Sequence, residues 1–106
     1  MYNTSYLRQI ANDIRDKFDD NELPQVGLDD LFDMYAVLAL AKGNYVTNED
    51  VHNAWSAWAH KYEPNNDFIV PFWELPSDVQ QEDTKFAEAI RNVAQVIDSA
   101  RALQLS

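Results

Sequence analysis

Residues 28–43 read LDDLFDMYAVLALAKG, and this stretch decides the fold. Asp29, Asp30 and Asp33 fall in what would be the first turns of a helix, where free backbone N–H groups and the helix dipole favour negative charge. Lys42 and Gly43 close it with the complementary charge and a residue able to take positive φ. Between them Met34, Tyr35, Val37, Leu38, Ala39, Leu40 and Ala41 spread around the whole circumference rather than along one stripe. A helix patterned this way is buried on most sides. It is expected to be the central element of the core, the alternative being the seam of a dimer.

Working outward, the segment from about 4 to 18 places Leu7, Ile10, Ala11, Ile14 and Phe18 at three- and four-residue spacing, with Asn12, Asp13 and Asp16 facing away. That periodicity predicts an amphipathic helix. Residues 19–27 are polar and contain Pro24 and Gly27, so a loop is expected there. On the other side, Thr47 followed by Asp50 reads as a capping box that opens a helix to about 62, with Val51, Ala54, Trp55, Trp58, Ala59 and Tyr62 on its apolar face. Residues 68–75 are apolar and β-prone, but Pro71 removes a backbone donor from their middle, which rules out a central strand and predicts an extended segment crossing the helices. Ser77 is expected to cap a short helix, and a long one should run from about 84 to 102 with Phe86, Ala89, Ile90, Val93, Ile97 and Ala100 as its stripe. The fold class is therefore all-α: one domain over residues 1–106, a small bundle of four main helices with one Pro-containing extended segment.

The 106 residues carry 18 acidic against 8 basic side chains, a formal charge of −10. Such a surface repels nucleic acid and anionic membranes, so direct binding to either is not expected. The absence of cysteine excludes disulfides, thiolate metal sites and a cysteine nucleophile, and fits a reducing compartment. The apolar run at 34–41 falls far short of the roughly 20 residues of a membrane span, and no basic region precedes an apolar one at the N-terminus. A cytoplasmic protein is expected.

Enzyme signatures are missing: there is no glycine-rich phosphate loop, no GxSxG elbow and no HExxH. Glu49-x-x-His52 has the spacing of a helical carboxylate–imidazole pair, but di-iron sites need that motif twice, and it occurs once. Neither a catalytic residue nor a metal or other cofactor is assigned. Two features remain. Trp73 sits beside Pro71 in an irregular segment, where aromatic side chains wall pockets or anchor interfaces. Asp13, Asp16, Asp19, Asp20, Glu22, Asp29, Asp30 and Asp33 gather eight acids within two helix edges and one loop. Such a face keeps a small protein dissolved, or occupies a basic groove on another protein.

The stretch Glu49-Asp50-Val51-His52-Asn53-Ala54-Trp55, then Phe68-Ile69-Val70-Pro71-Phe72-Trp73-Glu74-Leu75, then Asp83 and a helix, resembles the ryanodine-receptor repeat domain. That family shows His-x-x-Trp on a helix, a later hydrophobic-Val-Pro-aromatic-x-x-Leu segment and a charged helix. Gln80 and Gln81 stand where a lysine is common in it. The chain, including Leu28-Asp29-Asp30-Leu31-Phe32 and Ala41-Lys42-Gly43, also resembles a group of small bacteriophage proteins. The resemblance implies a non-catalytic helical module of a phage, acting in the host cytoplasm, that binds a nucleotide-derived signal and so sequesters a host defence messenger. By matching motif positions it implies a site at His52, Trp55, Pro71 and Phe72, to which the position of Trp73 adds a fifth residue. The alternative is an acidic inhibitor that masks a basic, nucleic-acid-binding surface of a host protein through Asp16, Asp20 and Asp30. The expected partner is thus a nucleotide-like small molecule or a basic host protein, met by a monomer or a homodimer.

Overall fold

Cues at the chain's caps and breakers account for where each element begins and stops. The computed structural model describes residues 5–105, with side chains as far as Leu103. Helix α1 (Tyr6–Arg15) begins where the Ser5 hydroxyl accepts the Arg8 backbone N–H at 3.2 Å; the expected start at Thr4 lies outside the described residues. The helix ends at Arg15, short of the expected Phe18. The Lys17 and Phe18 N–H groups donate to the Ile14 and Arg15 carbonyls at 3.2 and 3.0 Å, tight i→i+3 turns in place of another α-turn. They bring the Phe18 ring onto Phe86, with centroids 4.5 Å apart. Aromatic packing there outweighs one more turn of helix.

Helix α2 (Leu28–Lys42) opens at Gly27, whose φ of +63° favours glycine and where a Cβ would run into the Tyr62 ring. It closes at Gly43, as expected. Helices α1, α3 and α5 all pack on it, so it is the central element. Its burial is less complete than the pattern suggested: Leu31, Phe32, Tyr35, Ala36 and Ala39 are buried, but Val37 and Leu40 are 51% and 37% exposed. Three neighbouring helices leave part of a fourth uncovered, and these two side chains lie on that part. Arg8 ties α1 to α2, donating to Asp33 Oδ2 at 2.9 Å and pairing with Asp29 Oδ1 at 3.1 Å.

Helix α3 (Asn48–Tyr62) carries the capping box in full: Asp50 N–H donates to Thr47 Oγ1 at 3.1 Å and Thr47 N–H to Asp50 Oδ2 at 3.0 Å. Lys42 adds an ion pair to the other Asp50 oxygen at 2.8 Å. Residues 68–75 differ from the extended crossing that was expected. Pro71 (φ −55°, ψ 145°) and Leu75 are extended, but between them Phe72–Glu74 form a single 3-10 turn, closed by the Glu74 N–H donating to the Pro71 carbonyl at 2.9 Å. The chain must turn here because Leu75 is drawn into the core, only 5% exposed.

Two helices complete the chain, α4 (Ser77–Glu82) and α5 (Thr84–Leu105). Ser77 does not cap α4; Pro76 holds the N-cap position and Ser77 is the first helical residue, because the extended Pro76 already delivers the chain in the entry geometry. Asn48 donates from Nδ2 to the Gln80 carbonyl at 3.2 Å and to Thr84 Oγ1 at 2.8 Å, pinning the α4–α5 corner to the start of α3. No strand occurs among the described residues, and none of their helices is long and apolar enough to cross a membrane.

Candidate functional site

His52 lies on the face of α3 that meets residues 66–75, and it is almost wholly buried at 3% exposure. Its Nε2 stands 2.6 Å from the Val70 carbonyl oxygen. A carbonyl can only accept, so Nε2 carries the proton and donates. Ser56 Oγ is also near Nε2, at 3.3 Å. Because that nitrogen is a donor, it cannot take a proton from the Ser56 hydroxyl, and the pair is not a nucleophile with its base. The His52 ring stacks on Trp55 with centroids 5.6 Å apart and has Phe72 behind it at 6.1 Å. Gln80 holds the same segment from the other side, donating from Nε2 to the Phe72 and Leu75 carbonyls at 3.1 Å each. Residues 66–75 are therefore a strap buckled down by two side chains.

Under the strap is a cavity of about 220 Å³. Leu31 and Tyr35 of α2 form its floor, His52 and Trp55 of α3 one wall, and Phe68 of the strap another. Val79, Glu82, Asp83 and Phe86 come from the α4–α5 corner, and Glu22 and Pro24 from the loop after α1. The polar groups are the unusual part. Asp83 occupies the position before α5 where an aspartate ordinarily caps the helix, and its carbonyl does accept the Ala87 N–H at 3.0 Å. Its carboxylate, however, receives no hydrogen bond or ion pair from any described residue. Burial pushes that carboxyl up to about 6, against the lowering effect of His52 and with some help from Glu82. Tyr35 is 2% exposed, and its hydroxyl also has no partner among the described residues. Burial, together with the charge of Asp83, pushes that hydroxyl well above the usual phenol range.

The structure brings together only part of the expected site. His52 and Trp55 line the cavity. Phe72 stands behind His52 without reaching the cavity, and Pro71 sets the turn of the strap from its exposed outer side. Trp73 is 70% exposed and belongs to no wall of the cavity. Trp58, three residues from Trp55, is 1% exposed and donates from Nε1 to the Gly27 carbonyl at 3.0 Å, a core side chain. Asp83 and Tyr35 were not anticipated. The signal in reach was Asp83 itself, an N-cap residue at a sharp helix–helix corner.

The acidic patch also divides. Asp20 is 94% exposed at its side chain and only 3.9 Å from Arg15, and Asp16 is exposed at the edge of an α1–α5 groove. Asp30 is committed: Oδ2 accepts the Tyr62 hydroxyl at 2.5 Å and pairs with Lys61 at 3.1 Å, and these bonds hold its carboxyl below the usual range. Glu22 at the cavity mouth is likewise engaged by Lys85 at 2.6 Å, which lowers it. Glu49 and His52 do not join a metal site; no three metal-ligating side chains converge among the described residues.

No match to this chain is found among curated proteins or among solved structures. Residues 5–95, which hold the strap and every cavity residue, match the model of a domain of unknown function, DUF7701, and the chain belongs to that family.

Proposed function

We propose that this protein is a non-catalytic binding module that captures a positively charged group of a basic host protein in the cavity between α2, α3 and the α4–α5 corner. The observation that carries this is the composition of the cavity wall. Glu22, Glu82 and Asp83 contribute three carboxylates, and no lysine or arginine is among the lining residues. Lys85 balances Glu22 from outside, leaving two acids unpaired. In the host cytoplasm such a module would act for a phage by sequestration, and the exposed Asp16 and Asp20 would add long-range attraction to a basic surface.

A nucleotide-derived signal is the second reading. Trp55, Phe68 and Phe86 support it, since their rings offer faces on which a planar base could stack. Size and charge weigh the other way. Pockets for drug-sized ligands occupy roughly 300–1,000 Å³, whereas this one holds about 220 Å³. A phosphate would also meet carboxylates without a lining cation. Isothermal titration against a panel of mononucleotides, cyclic dinucleotides and basic peptides separates the two. Heat with basic peptides that falls steeply between 50 and 300 mM salt supports the proposal. Heat with a nucleotide alone overturns it in favour of the second reading.

A further inference from the structure

We infer that the cavity is a receptor for one primary ammonium group, supplied by a lysine side chain of the partner and bound between Asp83 and Tyr35. This rests on the binding-module reading above and names the chemistry of the captured group. Three unmet needs meet in the cavity. The Asp83 carboxylate has no donor and the Tyr35 hydroxyl no partner among the described residues, although Tyr35 is 2% exposed, and Trp55, Phe68 and Phe86 line the same cavity. A carbonyl or a phosphate offers no proton to Asp83. A neutral amide offers protons but leaves the charge uncompensated, and a quaternary ammonium offers charge without protons. An alkylammonium supplies both: one N–H to the carboxylate, one to the phenol oxygen, and positive charge to the ring faces.

The protein itself shows how such a group sits here. Lys85, at the outer edge of the cavity, places Nζ 2.6 Å from Glu22 and 5.8 Å above the Phe86 ring centroid. Phe86 also lines the cavity, so the same carboxylate-and-ring arrangement recurs inside with Asp83 as the acid and no lysine of this chain to fill it. Leu31 and Val79 give the methylene stem of an incoming lysine an apolar sleeve. The compact ammonium suits a cavity of about 220 Å³ in which Asp83 is the half-buried carboxylate, whereas guanidinium is a wide fork made for bidentate pairing.

The test is titration of the ¹⁵N-labelled protein, followed at the Trp55 indole N–H, with a lysine-containing peptide, its acetyl-lysine form, its arginine form and putrescine. The lysine peptide is expected to shift the Trp55 signal saturably, and acetylation to abolish the shift. Asp83→Asn should weaken binding more than tenfold and Tyr35→Phe about threefold, both variants keeping the wild-type pattern of distant resonances. Asp16→Asn with Asp20→Asn should change it less than twofold at 150 mM salt. Equal affinity for the arginine peptide, or full affinity in Asp83→Asn, overturns the ammonium site while leaving the basic-partner reading intact. Putrescine binding as tightly as the peptide upholds the ammonium site but overturns the protein partner. Failure of every cation to bind overturns both.

Discussion

Two corners of the molecule use the same ingredients, an aspartate, a tyrosine and α3, and leave them in opposite states. At the corner between the start of α2 and the end of α3, Asp30 accepts from Tyr62 and Lys61, Trp58 donates to the Gly27 carbonyl, and the Tyr62 ring lies against Gly27. These side chains all have partners, and the Asp30 carboxyl is held low. At the corner between α4 and α5, Asp83 and Tyr35 have no partners and the carboxyl is pushed up to about 6. A buried polar group without a partner costs stability. The first corner is thus a clasp that holds the fold, and the second carries a cost that the proposed ammonium site would put to use.

The largest effect should come from the clasp. Gly27→Ala drives a methyl into the Tyr62 ring at a backbone angle that disfavours any side chain, and a loss of about 3 kcal/mol is expected in urea denaturation. A loss below about 1 kcal/mol would mean that the Tyr62 ring yields and that this corner is no more rigid than the cavity corner.

Asp83→Asn should do the reverse and stabilise at pH 7, on the order of 1 kcal/mol after allowing for solvent at the cavity mouth. The sign follows from proton binding. Asp83 ionises near 3.8 in the unfolded chain and about 6 in the folded one. Between those values the folded state holds the extra proton, so its penalty is full above about 6 and is relieved as pH falls toward 4. Glu82 adds to this penalty while His52 opposes it, Tyr35 is neutral throughout this range, and Glu22 is already paired with Lys85. Wild type minus Asp83→Asn stability, measured from pH 7.5 to 4, should shrink steadily. A flat difference would show that Asp83 has a partner in solution.

The smallest effect is expected at Trp73. It is 70% exposed and outside the cavity, so Trp73→Ala should change stability by less than about 0.5 kcal/mol and leave ligand binding unaltered. A tenfold loss of binding would move the site from the cavity to the outer side of the strap.

Legibility followed the range of the interactions. The Thr47–Asp50 box spans three residues and was readable as a string, as were the breaks at Gly27 and Gly43 and the apolar face of α3. The end of α1 was not, because it depends on Phe18 finding Phe86, which lies far along the chain. Trp55 and Trp58 share one helical stripe, and nothing local tells which will be sealed and which will wall a cavity. The strap illustrates both sides: Pro71 announced that no central strand could form, but the turn at Phe72–Glu74 came from the burial of Leu75.

Helix number, the all-α class and the central place of residues 28–43 were written in periodicity, capping and breakers, which act within a few residues and so survive in one dimension. Among 18 acidic side chains, it is folding that leaves the Asp83 carboxylate half-buried and without a partner among the described residues. Desolvation depends on which distant residues crowd around a group, and Tyr35, His52 and Phe86 reach Asp83's cavity from three different helices.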